Sequence, residues 1–173
     1  MRPAIDEYAK FYAGYIALVP EEDIAIAMAD QALDFITYWN QVPEELAGTV
    51  QAPYTWTIRD ALWHLADCER IFGYRFLRVI RGDQTELPGF EENDYVAASQ
   101  ESHCPLSDLV AQIAGLRNSN LLLVRSASAQ AMARQTVINQ HPITARALAY
   151  IMVGHIRHHD QILRRRIASA IDR

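Results

Sequence analysis

The chain has 173 residues, of which half are hydrophobic and 21% are charged, and its formal net charge is -5 at neutral pH. This length suits a single globular domain over residues 1–173. The acidic balance argues against a nucleic-acid partner, because binding to a phosphate backbone normally depends on a basic surface.

The first part of the chain carries two stretches with a helical hydrophobic period. Apolar residues recur at steps of three and four from Tyr8 to Val19, and Pro20 ends this stretch. The second stretch begins in the acidic residues 21–23, which suit a helix N-terminus, and it stops before Pro43. We therefore expect a short N-terminal helix followed by a long one.

Three further helices are predicted in the rest of the chain. Thr57 and Asp60 match a capping pattern ahead of an apolar run that stops at Gly82. Another apolar stripe runs from residue 105 to residue 124, and the last helix is expected from Thr144 to about Ala170.

The segment between residues 82 and 104 shows no sustained hydrophobic period, and no part of the chain shows the alternation typical of strands. A loop of about 20 residues is uncommon within a compact domain and often serves as a crossover. The predicted fold is thus all-α: a four-helix bundle with a short extra N-terminal helix and a long crossover loop between the second and third bundle helices.

The start of the chain and its hydropathy predict a cytoplasmic protein that does not bind membranes. The first residues lack the basic and then apolar profile of a secretion signal, and no apolar run approaches ~20 residues. Cys68 and Cys104 do not make a disulfide framework, and reduced thiols fit the cytosol.

Three histidines on two predicted helices indicate a metal site. His155 and His159 are four residues apart and share a helix face, which the apolar residues Leu148 and Ile151 turn inward. His64 on the third helix would supply another imidazole from a facing helix. The distances along the helices allow this with either parallel or antiparallel packing. The alternative is that His64 is a partly buried histidine hydrogen-bonded to a carboxylate.

Four neighbours are candidates for the surroundings of this site. Asp60 and Asp67 are candidate acceptors for an imidazole N–H, and His158 is expected on the flank of its helix. Cys68 lies one turn after His64, where a buried small cysteine is favoured over a fourth ligand. No catalytic residue is identified from the sequence.

Three neutral imidazoles suit a divalent ion, and we expect zinc or nickel, with iron or manganese as alternatives. Three ligands leave coordination positions open, as in catalytic rather than structural sites. An ion held in this way would acidify bound water or a bound thiol.

Several segments resemble the DinB-like family, and the resemblance extends from about Tyr8 to Leu163. They include the segment 54–70 around His64, the segments 78–83 and 87–90, and the segment 154–159 with its His-x-x-x-His pattern. The resemblance implies a four-helix bundle, often dimeric, with a divalent metal at the positions of His64, His155 and His159. Members of known activity are thiol-dependent transferases and isomerases that use bacillithiol, mycothiol or glutathione.

The leading functional hypothesis is therefore a metal-dependent enzyme that transfers a low-molecular-weight thiol to a small electrophile, or acts as an isomerase, and that works as a homodimer. Arg59 or Arg75 is a candidate for binding a cosubstrate carboxylate, although exposed helix surface is the favoured role for each. The alternatives are a metal-dependent hydrolase, and a non-catalytic helical dimer stapled by metal that acts as a binding or stress-response module. A cavity at the ion would favour an enzyme.

Overall fold

The structure, a computed structural model, describes residues 2–99 and 104–171, and most of them are helical. Seven α-helices and two short strands follow one another along these residues, and three short 3-10 turns accompany them. The elements are α1 (Ala13–Ala17), α2 (Ile24–Trp39), α3 (Ile58–Ile80), α4 (Glu92–Ser99), α5 (Leu106–Ser126), α6 (Ala129–Met132), β1 (Gln135–Ile138), β2 (His141–Thr144) and α7 (Ala145–Ile171).

The four long helices α2, α3, α5 and α7 form the bundle, which confirms the predicted fold class. Helix α3 packs against α5 and α7, and α2 packs against the same two helices, so α2 and α3 lie diagonally opposite each other. Buried apolar side chains fill the space between all four helices in two contiguous clusters.

Contacts at the helix ends fix the direction of each helix. The guanidinium of Arg166, near the end of α7, donates to the carbonyl of Trp56 just before α3 (2.8 Å), so these two helices are antiparallel. At the start of α7, the Tyr150 hydroxyl donates to the carbonyl of Glu21 just before α2 (2.9 Å), which makes α2 and α7 parallel. Arg59, at the start of α3, donates to the carbonyl of Cys104 just before α5, and Asn120, late in α5, donates to the carbonyl of Glu69 further along α3. The contacts follow the same order along both helices, so α3 and α5 are parallel too.

This up-down-down-up order explains the long crossover, because parallel neighbours cannot be joined by a short turn. The crossover after Ile80 holds a helix that the sequence did not predict, α4, which packs on α3. The start of α3 agrees with prediction: Thr57 Oγ1 accepts from the amide of Asp60 (3.0 Å), and the Asp60 carboxylate accepts from the amide of Thr57 (2.9 Å).

The expectation of a chain without strands is wrong for one segment. Strands β1 and β2 form an antiparallel hairpin between α6 and α7, with Ile138 opposite His141. Asn139 and Gln140 both have positive φ (48° and 66°), as a two-residue turn of the type I′ class requires. The more familiar Asn-Gly signal is absent, and each strand has only four residues, too few for alternation to stand out.

The residues before α2 pack against α7. The hydrophobic stretch from Tyr8 to Val19, predicted as a short helix, contains a 3-10 turn over Lys10–Tyr12 followed by α1. Arg157 of α7 holds the segment in place by donating to the carbonyl of Leu18 (2.9 Å) and to the Glu21 carboxylate (2.7 Å). Within residues 2–99 and 104–171, no helix combines the length and apolar character needed to cross a bilayer.

Candidate metal centre

His64 lies two turns into α3 and is 7% exposed. The capping box at Thr57 fixes where the helix begins, and the apolar residues Ala61, Leu62 and Leu65 turn this face toward the core. Burial thus follows from the helical period of α3, which brings the imidazole to the side facing α7.

His155 and His159 come from the middle of α7. Every residue from Ala147 to Ile156 is buried, because α3, α2 and α1 all pack on this part of the helix. Gly154 permits the contact with α1: a Cβ at this position would lie 2.0 Å from the carbonyl oxygen of Tyr15. The ring of Tyr15 then meets the ring of His155 edge-on, with centroids 5.3 Å apart.

The three imidazoles converge, and each offers a ring nitrogen within 4.8 Å of the others. Nε2 of His64 and Nε2 of His155 are 3.1 Å apart. Two nitrogens bound to one tetrahedral zinc ion, each at 2.0–2.1 Å, lie about 3.3 Å apart. The spacing of His64 and His155 fits a shared ion with little adjustment.

Burial keeps these imidazoles neutral. It lowers the pKa of His64 to about 4 and, with the nearby His64 and His158, that of His159 to about 3. The pKa of His155 is lowered well below its ordinary value, again chiefly by burial. Its buried Nδ1 has no hydrogen-bond partner among residues 2–99 and 104–171. Neutral imidazoles are the form that binds metals, so the donor set fits a divalent ion without prior loss of protons.

One side of the cluster opens onto a cavity of about 330 Å³. All three histidines line it, and half of the other lining residues are aromatic. Besides the bundle helices α3 and α7, its walls come from the N-terminal segment, the crossover, the hairpin and the residue just before α3. The aromatic residues are Phe11, Tyr12, Tyr15, Trp56, Phe72 and Phe90.

The residues expected around the histidines take different places. Cys68 lines the cavity with its Sγ 3.6 Å from Nε2 of His64. Burial raises the pKa of its thiol, with Glu69 and Asp67 adding to the effect, so the thiol is protonated at neutral pH. His158 is exposed, and its ring meets the rings of Tyr15 and His159 edge-on.

The two aspartates have partners away from the histidine nitrogens. Asp60 belongs to the helix cap described above, and Asp67 forms an ion pair with Arg70 at 3.5 Å. No hydrogen bond joins either carboxylate to a ring nitrogen of the three histidines within the part of the chain that the structure describes. The pair therefore serves α3 itself in this structure.

Of the two candidate arginines, one lies away from the cavity and the other lines it. Arg59 pairs with Glu44 and donates to the carbonyl of Cys104, away from the cavity. Arg75 is 5% exposed and lines the cavity, so its expected place on an exposed helix surface is wrong. A helical stripe through His64, Cys68, Phe72 and Arg75 would have indicated this position.

The family model described as the DinB superfamily matches residues 29–163. No curated protein matches the chain. Among solved structures, YfiT from Bacillus subtilis, described as a probable metal-dependent hydrolase with an unusual four-helix bundle topology, is 19% identical. That alignment covers 97% of this chain and 94% of YfiT, with a TM-score of 0.66.

A second solved structure is that of a mycothiol-dependent maleylpyruvate isomerase, which is 13% identical with a TM-score of 0.67. The alignment covers 84% of this chain, but it spans only 61% of the isomerase. At these identities both similarities establish a shared fold.

Proposed function

Because this chain belongs to the DinB superfamily, we propose that it is a metal-dependent enzyme whose divalent ion is held by His64, His155 and His159. Zinc or nickel is the expected ion, with iron or manganese as alternatives. The observation that carries the proposal is the convergence of three neutral imidazoles at the wall of a cavity of about 330 Å³. A site with this volume beside it has room for a substrate.

The proposed reaction is transfer of a low-molecular-weight thiol to a small electrophile, or isomerisation of such a molecule through a thiol adduct. When bound, the ion would lower the pKa of the thiol and so supply a thiolate near neutral pH. In the transfer, sulfur bonds to the electrophilic carbon, the leaving group departs with its electron pair, and the thiol proton passes to solvent. Bacillithiol, mycothiol and glutathione are the cellular thiols to test.

The chain's own residues would orient the reactants and exclude water. Trp56 packs on His64 (centroids 5.1 Å apart), and Phe72 packs on His155 (5.4 Å), so both ligand rings are fixed from the side. The aromatic wall favours the less polar parts of a substrate.

Hydrolysis is the second candidate, and Glu92 favours it. This carboxylate at the start of α4 is the one acidic side chain lining the cavity among residues 2–99 and 104–171. A carboxylate near a metal site serves as a general base toward water in many hydrolases. A non-catalytic metal staple receives less support, since the cluster faces an open volume rather than packed side chains.

The proposal extends to the partners, the oligomeric state and the location of the protein. The substrate is a small molecule, and neither nucleic acid nor membrane is a partner. The functional unit is a homodimer, as the resemblance to the family implies, and its location is the cytoplasm, as the hydropathy and the cysteine content of the sequence predict.

Metal content tests the first part of the proposal. We expect about one divalent ion per chain in protein purified from metal-replete cells, measured by elemental analysis. His155→Ala should lower the content strongly, and the neighbouring His158→Ala should leave it unchanged. Equal and negligible metal in the wild type and in His155→Ala would overturn the proposal.

The reaction is tested with the metal-loaded protein. Conjugation of each thiol to chlorodinitrobenzene is measured alongside hydrolysis of a small ester. Thiol conjugation that His155→Ala abolishes supports the transferase, and ester hydrolysis that Glu92→Gln abolishes supports the hydrolase. If the loaded protein shows neither activity, both enzymatic candidates are rejected.

A further inference from the structure

Arg75 is a buried cation in the wall of the cavity that the three histidines share. Its guanidinium donates one hydrogen bond, from Nη2 to the carbonyl of Pro88 (2.7 Å), and lies over the ring of Phe90 (5.7 Å from the centroid). Both contacts come from the crossover, which holds the planar group in one orientation. An arginine fixed in this way is prepared for a ligand, because little side-chain entropy remains to be lost.

The positive charge of Arg75 has no ionic partner. No carboxylate of residues 2–99 and 104–171 lies within 4.0 Å of its nitrogens, and the side chain uses one of the five N–H donors of a guanidinium. A buried charge without a partner is costly, and proteins normally pair it. Arg117, also buried, is 3.1 Å from the Glu69 carboxylate. Arg166, a buried arginine outside this cavity, has no carboxylate partner within the described residues either, but it donates to three oxygens, those of Gln51, Thr49 and Trp56, where Arg75 donates to one.

The direction of α3 points Arg75 toward the histidines. His64 and Arg75 are three turns apart, about 16 Å along the helix, and both side chains face the cavity. Side chains on a helix lean toward its N-terminus, so Arg75 leans back toward His64. Cys68 and Phe72 lie between them on the same stripe and line the same volume.

We propose that Arg75 binds a carboxylate of the small molecule on which the histidine site acts, which makes the substrate or cosubstrate an organic acid. The inference rests on the proposed function for the other end of the ligand. A planar guanidinium matches a carboxylate with two parallel hydrogen bonds, and the cavity wall between the two ends is aromatic. Glu92 lines the cavity too, but it is exposed and its charge is screened by solvent.

The carboxylate can belong to the thiol or to its electrophilic partner, and two matched pairs of probes separate these sources. The first pair is N-acetylcysteine and its amide, which differ only in the charged group. The second pair is phenylacetate and phenylacetamide, added to protein already saturated with N-acetylcysteine amide. Dissociation constants are measured by calorimetry in the zinc-loaded and the metal-free protein.

Arg75→Met is the main variant, since methionine keeps an unbranched apolar side chain and removes the cation. Arg75→Lys keeps the charge without the paired donors. Arg81→Met is the matched control, because Arg81 is an exposed arginine at the end of the same helix. Circular dichroism and thermal unfolding establish that each variant is folded, and Arg75→Lys carries the test if Arg75→Met is not.

We expect the wild type to bind one acid of the two pairs roughly 10- to 100-fold more tightly than its amide, as for hydrogen bonds to a charged group. Arg75→Met should abolish that preference, Arg75→Lys should reduce it, and Arg81→Met should retain it. A preference in the first pair assigns the carboxylate to the thiol, and one in the second pair assigns it to the electrophile.

A wild type without preference in either pair would overturn the inference, and so would a preference that survives Arg75→Met. These outcomes are independent of the metal proposal. The phenylacetate pair is also measured in metal-free protein without thiol, where only the carboxylate contact operates. Elemental analysis reports separately whether the three histidines hold an ion.

Discussion

Two polar clusters interrupt the core of the bundle, and both begin on α3, five residues apart. The closed cluster joins Glu69 of α3 to Arg117 and Asn120 of α5. Arg117 is 3.1 Å from the Glu69 carboxylate and also donates to the carbonyl of Met152 on α7 (3.0 Å), while Asn120 donates to the carbonyl and the carboxylate of Glu69. Its members find their main partners within the protein and lie outside the cavity that the three histidines line.

The open cluster is that of His64, His155 and His159. Its side chains are neutral, their nitrogens converge on one another, and the space beyond them is a cavity rather than packed helix. His64 and His155 are buried as the members of the closed cluster are, and His159 is half-buried, so burial alone does not distinguish structure from function here. What distinguishes them is what the polar side chains face: carboxylate, guanidinium and amide face one another in the closed cluster, whereas the three histidines face a cavity.

Removing a charged side chain from the closed cluster should have the largest effect on stability. Arg117→Ala leaves the Glu69 carboxylate buried without its cation, and we expect a loss of roughly 3–5 kcal/mol in the free energy of unfolding. Arg125→Ala on the same helix removes an exposed arginine and should change stability by less than about 0.5 kcal/mol. Urea unfolding measures both, and similar values for the two variants would mean that the closed cluster does not hold the bundle together.

Glycines next to each cluster should show the next largest effect. A Cβ on Gly73 would lie 2.2 Å from Oδ1 of Asn120 in the closed cluster, and one on Gly154 would lie 2.0 Å from the carbonyl oxygen of Tyr15 over the open cluster. We expect Gly73→Ala and Gly154→Ala to destabilise the fold by roughly 1–3 kcal/mol each. Only Gly154→Ala should also weaken zinc binding, because it displaces α1 from His155.

Gly115→Ala is the control for these two variants. Nothing lies within 4 Å of a Cβ at this position in the middle of α5, so alanine should stabilise the protein by about 0.5–1 kcal/mol. The comparison fails if zinc affinity falls as much in Gly73→Ala as in Gly154→Ala.

Acidification should give the smallest change in the free energy of unfolding, and we expect it to act through the open cluster. In the metal-free protein the folded state holds the pKa of His64 at about 4, against 6.5 for an ordinary histidine. The unfolded chain therefore binds more protons below about pH 6.5, and stability present above that pH is lost as the pH falls toward 4. We expect His64 to contribute a loss of about 1–2 kcal/mol between pH 7 and pH 5, measured by urea unfolding.

His64→Ala should make this pH dependence shallower, and alanine at the exposed His141 should leave it unchanged. An equally steep dependence in His64→Ala and in the wild type would show that the histidine cluster does not carry it.

The sequence predicted what depends on local period and spacing. The capping box at Thr57 and the helical stripes located the long helices, and the fold class and the resemblance to the family are confirmed. The spacing of His155 and His159, with His64 on another helix, identified the three side chains that the structure brings together. Their role as metal ligands stays a prediction.

What depends on contacts between distant segments was not predictable in this way. The sequence predicts an exposed place for Arg75 on its helix, and the contact with the crossover shows why the side chain is buried instead. The aromatic wall also includes Phe11 and Tyr12, which come from a separate segment of the chain. The hairpin also depends on its place beside the crossover, where the amide of Leu87 donates to the carbonyl of Val137 (3.0 Å). No single window of sequence contains these relations.

The separation of His64 and His155 by 91 residues has a consequence for how the chain assembles. Bringing the ends of so long a segment together costs about 4 kcal/mol of chain entropy by the logarithmic law of loop closure. An ion shared by these two residues would act as a reversible cross-link between them. It could form only after α7 has left the ribosome, and it would slow the separation of α3 from α7 each time the bundle begins to open.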